Sequence, residues 1–368
     1  MVLRPRAVAD VEGLMPGAAE TWRGRRVFLT GHTGFQGGWL SLWLAEAGAE
    51  VTGYALPPGT RPNLFDSARV AEGMASIIGD IRDLKALHAA MARAEPEVVI
   101  HLAAQPLVRR SYADPMETWS TNVIGTAHLL EAVRQTPSVK AVVNVTTDKV
   151  YENREWDRGY REDDTLGGYD PYSASKACAE LVTGSYRRAF LKDGPPVATL
   201  RAGNVIGGGD WAEDRLVPDL MRSFARGDAT VIRNPHAIRP WQHVLEALSG
   251  YLAVAEKLFL GEPGFAEAWN FGPDSESERS VGWIADRMVA FWGEDARWEL
   301  DPAAAAQPHE AGFLKLDSTK SRERLGWRPR WQIDDALQAS VDWYRAYYKG
   351  GDARELTLGQ LAAYRTGA

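Results

Sequence analysis

Three stretches of this sequence carry residue types whose spacing could do chemistry. Tyr172 and Lys176 stand four apart in a segment opened by Pro171, so on a helix they share one face. A phenol titrates near ~10 when unperturbed. A neighbouring ammonium, or a cationic cofactor ring, favours the phenolate and brings tyrosine towards the range a general base needs. Such a pair can take a proton from a sugar hydroxyl while hydride leaves the same carbon. Thr147-Asp148-Lys149 follows the apolar run Ala141–Val145 and offers a hydroxyl, a carboxyl and an amine at a strand end. Gly31-His-Thr33-Gly34-Phe35-Gln36-Gly37 lies between the apolar run Arg26–Thr30 and a helix-length segment. There the backbone can approach a pyrophosphate closely, and the first helix amides stabilise its charge.

The elements that must position these residues read as an α/β chain. Short apolar runs alternate with helix-length segments, the pattern of βαβ units on a doubly wound Rossmann sheet. Strands are expected at Arg26–Thr30, Glu50–Tyr54, Ala75–Gly79, Val98–Leu102, Ala141–Val145 and Val197–Arg201. Helices are expected from the glycine turn to Glu46, over Asp83–Arg93 with Asp83 as N-cap, over Met116–Arg134 and over Pro171–Phe190. Beyond Asn204 the alternation weakens into Gly, Pro, Arg and Asp, with a helix from about Arg215 to Arg226. The helix Val244–Leu260 and the run Trp269–Phe271 return to the sheet. The expected organisation is a tail over 1–21, a dinucleotide-binding domain over 22–205 rejoined by 244–275, a smaller α+β substrate-binding lobe from 206–243 and 276–350, and a C-terminal segment over 351–368.

Composition excludes other classes. The 368 residues hold 42 Lys and Arg against 49 Asp and Glu, a net charge of −7, opposite in sign to a broad nucleic-acid footprint. The one cysteine, Cys178, cannot form an internal disulfide and reads as a small packing residue. No Cys/His cluster has zinc spacing, so no metal is expected. The N-terminus lacks a signal-peptide apolar block, and the uncharged stretch Val27–Ala45 contains four glycines and polar residues unsuited to a membrane span. The expectation is a cytoplasmic protein with no membrane partner.

The Gly-x-x-Gly-x-x-Gly spacing resembles the extended short-chain dehydrogenases/reductases. Matching pieces follow in order: Gly79-Asp80-Ile81, placed in that superfamily against adenine; Leu102-Ala103-Ala104, which line the cofactor; and Thr121-Asn122. The end of strand two, where a Rossmann site usually holds an acid for the ribose, carries Tyr54-Ala55. NAD therefore rests on the resemblance, and Arg61 keeps NADP open. Within the superfamily the chain resembles the nucleotide-sugar 4,6-dehydratases, in which an Asp after the Thr acts on the sugar C6 hydroxyl. Most of these then carry a Glu as C5 base, where Lys149 stands here. The Asp-Lys form, with Ala104-Gln105-Pro-Leu-Val-Arg109, Tyr151-Glu152-Asn153, Gly168-Tyr-Asp-Pro-Tyr172 and Arg201-Ala-Gly-Asn204 through Trp211, is similar to the branch acting on CDP-glucose.

The resemblance covers about Trp22 to Tyr347. It implies a small-molecule nucleotide-sugar substrate, a homodimer joined by the helices of Asn122 and Tyr172, and catalysis by Thr147, Asp148, Lys149, Tyr172 and Lys176. It also implies substrate contacts from Gln105, Asn204, Leu216, Val217, Pro218, Arg233, Arg239 and Asn270, with Gly207 to Gly209 in the substrate loop. Guanidinium groups bind phosphate oxygens bidentately, which suits Arg233 and Arg239 to a diphosphate. Lys149 is expected either as a neutral C5 base or as a cation stabilising an enolate while Glu152 takes the proton. A nucleotide-sugar epimerase or ketoreductase is the competing enzyme, and a non-catalytic dinucleotide-binding protein the competing class. Asp148 argues against the former, and the trio Thr147, Tyr172 and Lys176 against the latter.

Overall fold

The computed structural model describes residues 21–293, 296–302 and 312–367; the expected tail over 1–21 falls almost wholly outside them. Strands β1 (Arg26–Thr30), β2 (Glu50–Ala55), β3 (Ala75–Ile78), β4 (Val98–His101), β5 (Ala141–Val145) and β6 (Val197–Ala202) fall where the apolar runs put them. They are followed by β7 (Asn204–Ile206), β8 (Ala229–Ile232), β9 (Ile238–His243), β10 (Ala268–Phe271), β11 (Glu278–Ser280) and β12 (Arg297–Leu300). The main sheet is parallel, in the order β10-β6-β5-β4-β1-β2-β3, which is the doubly wound order extended by one returning strand.

Side-chain alternation explains why both faces of this sheet are covered. Leu29, Ile100, Val143 and Leu200 point into one apolar cluster with Trp39, Leu248 and Trp269. Their neighbours Phe28, Val99, Val142 and Val197 point into the other, with Leu87, Leu129 and Leu130. The remaining strands form two small sheets, β11-β9-β7 and β12-β8, beside the first cluster.

Three features depart from the periodicity. The segment expected as one helix over Met116–Arg134 begins at Pro115, capped by Asp114, and contains a π turn over Ser120–Ile124. Inside that turn Asn122 is buried and clamps Gln105 at both backbone groups, at 2.8 Å and 3.1 Å. Tertiary hydrogen bonding thus overrides the regular helix. A short helix, Val108–Ala113, follows Leu107 where none was expected. Gly208 serves packing: its carbonyl accepts from Trp39 Nε1 at 2.9 Å, and a Cβ there would lie 2.1 Å from the Trp343 ring.

The C-terminal segment is a helix, Ala353–Thr366, fastened to the sheet through a buried carboxylate. Glu246 on the Val244–Phe259 helix accepts from the backbone N–H of Arg330 (3.0 Å) and Trp331 (2.9 Å) and from the Tyr364 hydroxyl (2.7 Å). Burial outweighs these donors and raises Glu246 from its ordinary range to about 7. A carboxyl whose folded value is raised contributes stability that is fully present below about 4.5 and is lost as pH rises through about 7. Denaturant unfolding at pH 5 and pH 8 should therefore show wild type losing up to about 3 kcal/mol that Glu246→Gln does not lose; equal losses in both proteins would refute the assignment.

Candidate active site

The carboxyl end of β5 is cross-braced, residue by residue, to the Pro171–Ala189 helix. That helix begins where Asp170 caps Ser173 N at 2.9 Å and Pro171 occupies its first position. Asn144 Nδ2 donates to Thr183 Oγ1 (2.9 Å), Lys176 Nζ to the Val145 carbonyl (3.0 Å) and Thr146 Oγ1 to Glu180 Oε1 (2.6 Å). Thr147, next along, lies against the Tyr172 phenol and favours its ionised form. The chain then turns over Asp148–Val150 with Thr147 as its N-cap. All five residues expected to do the chemistry line one cleft.

Asp148 is 2% exposed; its Oδ1 accepts from Thr147 Oγ1 at 3.0 Å, while Oδ2 is buried with no hydrogen-bond partner. Lys149 lines the same cleft. Glu152, the other candidate proton acceptor, is an exposed carboxylate paired with Arg154 at 3.0 Å.

Burial dominates the electrostatics. It pushes Tyr172 up to about 12, opposed by the Thr147 hydrogen bond and the charge of Arg215. It lowers Lys176 to about 8, opposed by Glu180. Lys176 donates to the Val145 carbonyl on the same helix face as Tyr172, and the charge of Arg215 adds a second cation that favours the phenolate. Arg215 stands at the N-terminus of the Leu216–Arg226 helix, 2.9 Å from Asp210. Sequence reasoning missed it, since no local pattern brings residue 215 to residue 172.

The candidate residues open into a cavity of about 1750 Å³ along the carboxyl ends of the strands, larger than the ~300–1,000 Å³ of a site for one small molecule. Towards β1–β4 it is lined by the glycine turn, including Thr33, Phe35 and Gln36, and by Asp80, Ile81, Leu102, Ala103, Ala104 and Thr121. Here the chain fits a dinucleotide. A Cβ on Gly37 would lie 2.0 Å from the Gly31 carbonyl oxygen, and Gly31 itself has φ +80°, so the helix amides come closer to the turn than any side chain would permit. Towards the smaller sheets the cavity is lined by Gln105, Asn204, Leu216, Val217, Pro218, Arg233 and Arg239.

Asp214 accepts from both Arg109 (3.0 Å) and Arg233 (2.7 Å), so the expected diphosphate cation is held in an ion-pair cluster. Arg239 is 6% exposed and donates to the Ile238 carbonyl at 2.9 Å.

Set against known families, residues 28–340 match the model described as GDP-mannose 4,6 dehydratase. The chain belongs to that family. It is 55% identical over 349 residues, 93% of this chain and 97% of the other, to the CDP-glucose 4,6-dehydratase of Salmonella typhimurium. The dTDP-glucose 4,6-dehydratase of Streptomyces antibioticus is 31% identical over 73% of this chain and 75% of its own. Among solved structures, the dTDP-glucose 4,6-dehydratase DesIV of Streptomyces venezuelae, with NAD and TYD bound, superposes with a TM-score of 0.72 at 26% identity, over 89% of this chain and 99% of that one.

Two residues expected in the dehydratase site are elsewhere. Tyr54 is 1% exposed, stacks on Phe28 and donates to the Asp80 carbonyl at 3.2 Å. Strand alternation points it into the core below the sheet, and Ala55, Leu56 and Arg61 line the cleft at that end. Asn270 is fully buried on β10: its Oδ1 accepts from Tyr151 (2.7 Å) and its Nδ2 donates to the Tyr160 and Asp317 carbonyls. With every polar atom engaged, it fixes the Tyr151 loop.

The fit of the glycine turn gives a direct test. Gly37→Ala must separate helix from turn, and unfolding measurements should show a loss of about 1–3 kcal/mol; a variant as stable as wild type would show that the close approach is not required.

Proposed function

We propose that this protein converts CDP-glucose to CDP-4-keto-6-deoxyglucose with a bound NAD that ends the cycle as it began. The observation that carries the reading is the buried cluster of Thr147, Asp148, Tyr172 and Lys176, with the unpartnered Asp148 oxygen within it. The glycine turn and Leu102 to Ala104 would hold the dinucleotide, which when bound would supply the hydride acceptor for oxidation at C4 and the donor for reduction at C6. NAD is preferred to NADP on the family resemblance, although Arg61 lines the cleft. Likeness to the Salmonella enzyme supports the choice of CDP-glucose. The lobe from 206–243 and 276–350 receives the nucleotide sugar, with Arg233 and Arg239 directed to the diphosphate.

Tyr172 takes the C4 hydroxyl proton, held to the substrate oxygen by Thr147. The resulting ketone acidifies the C5 proton, and Asp148 protonates the departing C6 hydroxyl, so water leaves as a double bond forms between C5 and C6. Hydride addition at C6 and protonation at C5 complete the product. Lys149, which lines the cleft, removes the C5 proton, or stabilises the charge that develops while Glu152, in the same cleft, takes that proton. Simple C4 epimerisation would leave Asp148 without a task. The protein works in the cytoplasm as a homodimer, whose contact helices expose Met116, Ile124 and Leu181.

Incubation with CDP-, dTDP-, UDP- or GDP-glucose, followed by mass measurement, should show the CDP sugar alone lighter by one water; an unchanged mass for it would end the proposal. Tyr172→Phe should lower kcat about 10²–10⁴-fold without changing the melting temperature. Lys149→Met should slow turnover and deuterium incorporation at C5 from heavy water, whereas unchanged turnover would remove Lys149 from both roles.

A further inference from the structure

Beneath the catalytic cluster lies an ion pair to which the reaction assigns nothing. Glu180 and Arg201 approach to 2.9 Å with side chains only 4% and 3% exposed. The carboxylate is saturated: Oε1 accepts from Thr146 (2.6 Å) and Arg201 Nε (2.9 Å), and Oε2 from Thr199 (2.6 Å) and Arg201 Nη2 (3.0 Å). Arg201 Nη1 continues to the Tyr151 hydroxyl at 2.8 Å and the Glu162 carbonyl at 3.1 Å. Burying two charges gains little net stability over an apolar pair, so packing alone does not account for it. Its partners are the residues that frame the site: Thr146 precedes Thr147, Tyr151 ends the Asp148–Val150 turn, and Glu180 lies one helical turn beyond Lys176.

We infer that Glu180 is a positioning residue for the dehydration: it pins the β5 end that carries Thr147 to Lys149 and supplies the negative charge beside the buried Lys176 ammonium. The inference rests on Tyr172 and Lys176 being the oxidising pair. Burial lowers Lys176 towards neutrality, and Glu180 is the group that opposes the fall. Among the described residues, the other titratable groups facing this pocket include His101 from β4, held neutral by burial, Arg201 from β6, Asp148 and Tyr151 from the turn, Tyr172 and Arg187 on the same helix, and Tyr251 from the Val244–Phe259 helix. A cationic Lys176 is lost at high pH, so removing Glu180's charge must bring the alkaline fall in activity to lower pH.

Two variants separate charge from position. Glu180→Gln with Arg201→Met removes both charges together and avoids a lone buried cation; Glu180→Asp keeps the charge on a shorter arm. The pH profile of kcat/KM for CDP-glucose, with melting temperature recorded alongside, should show the alkaline limb of the double variant lowered by about one unit. In Glu180→Asp the limb should stay in place while kcat falls about tenfold at unchanged KM. An unmoved limb in a folded double variant, or full kcat in Glu180→Asp, would overturn the inference. Wild type is assayed first: no turnover of CDP-glucose would remove the functional reading and this inference with it, whereas wild-type turnover with either contrary result removes the inference alone.

Discussion

The site depends on one constraint, the register between the end of β5 and the Pro171–Ala189 helix. Four consecutive residues at and just beyond the end of β5, Asn144 to Thr147, each face a different helix residue, in turn Thr183, Lys176, Glu180 and Tyr172. A strand advances about 3.3 Å per residue and a helix about 1.5 Å, so the two cannot run in step for long. They match here because the strand ends at Val145 and the chain turns immediately after Thr147. That turn buries Asp148 beside Tyr172, and the helix start at Asp170 and Pro171 decides where Tyr172 falls.

Burial gives these groups their chemistry and sets its cost. Tyr172 is driven up to about 12 and Lys176 down to about 8, because both charged forms lose hydration. The Thr147 hydrogen bond and the Arg215 charge work against this on the phenol, and Glu180 does so on the ammonium. The same economy of charge holds across the cleft. A protein of net charge −7 that receives a dianionic ligand cannot rely on its overall field. Its cations are instead gathered locally and kept paired, Arg109 and Arg233 on Asp214 and Arg215 on Asp210. A diphosphate entering the cleft meets cations already screened by acids, which favours ligands able to make bidentate contacts over simple anions.

The sequence made most of this arrangement legible wherever the signal was local. Apolar runs located β1 to β6 of the seven-stranded sheet, since strands in a sheet covered by helices are mostly apolar even where they carry a buried polar residue such as Asn144 or Arg201. The glycine turn was legible because only missing side chains allow Gly37 to meet Gly31, and Tyr172 with Lys176 because four residues make about one helical turn. Tyr54, Asn270 and Arg215 were not readable in this way. For Tyr54 the face depends on sheet register, and its neighbour Ala55 reaches the cleft instead. The amide of Asn270 is consumed by carbonyls from Tyr160 and Asp317, 110 and 47 residues away.

By itself, then, the sequence determined the parallel sheet and the dinucleotide turn, because each follows from periodicity or spacing within about twenty residues, while the candidate reacting groups came from spacing together with the family resemblance. Only the tertiary structure decided that the charge of Arg215 reaches Tyr172, that the π turn at Asn122 grips Gln105, and that Glu180 lies one helical turn from Lys176 in contact with Thr146. Those choices depend on hydrogen bonds and desolvation between residues distant in the chain, whose strength exists only once water has been excluded from between them.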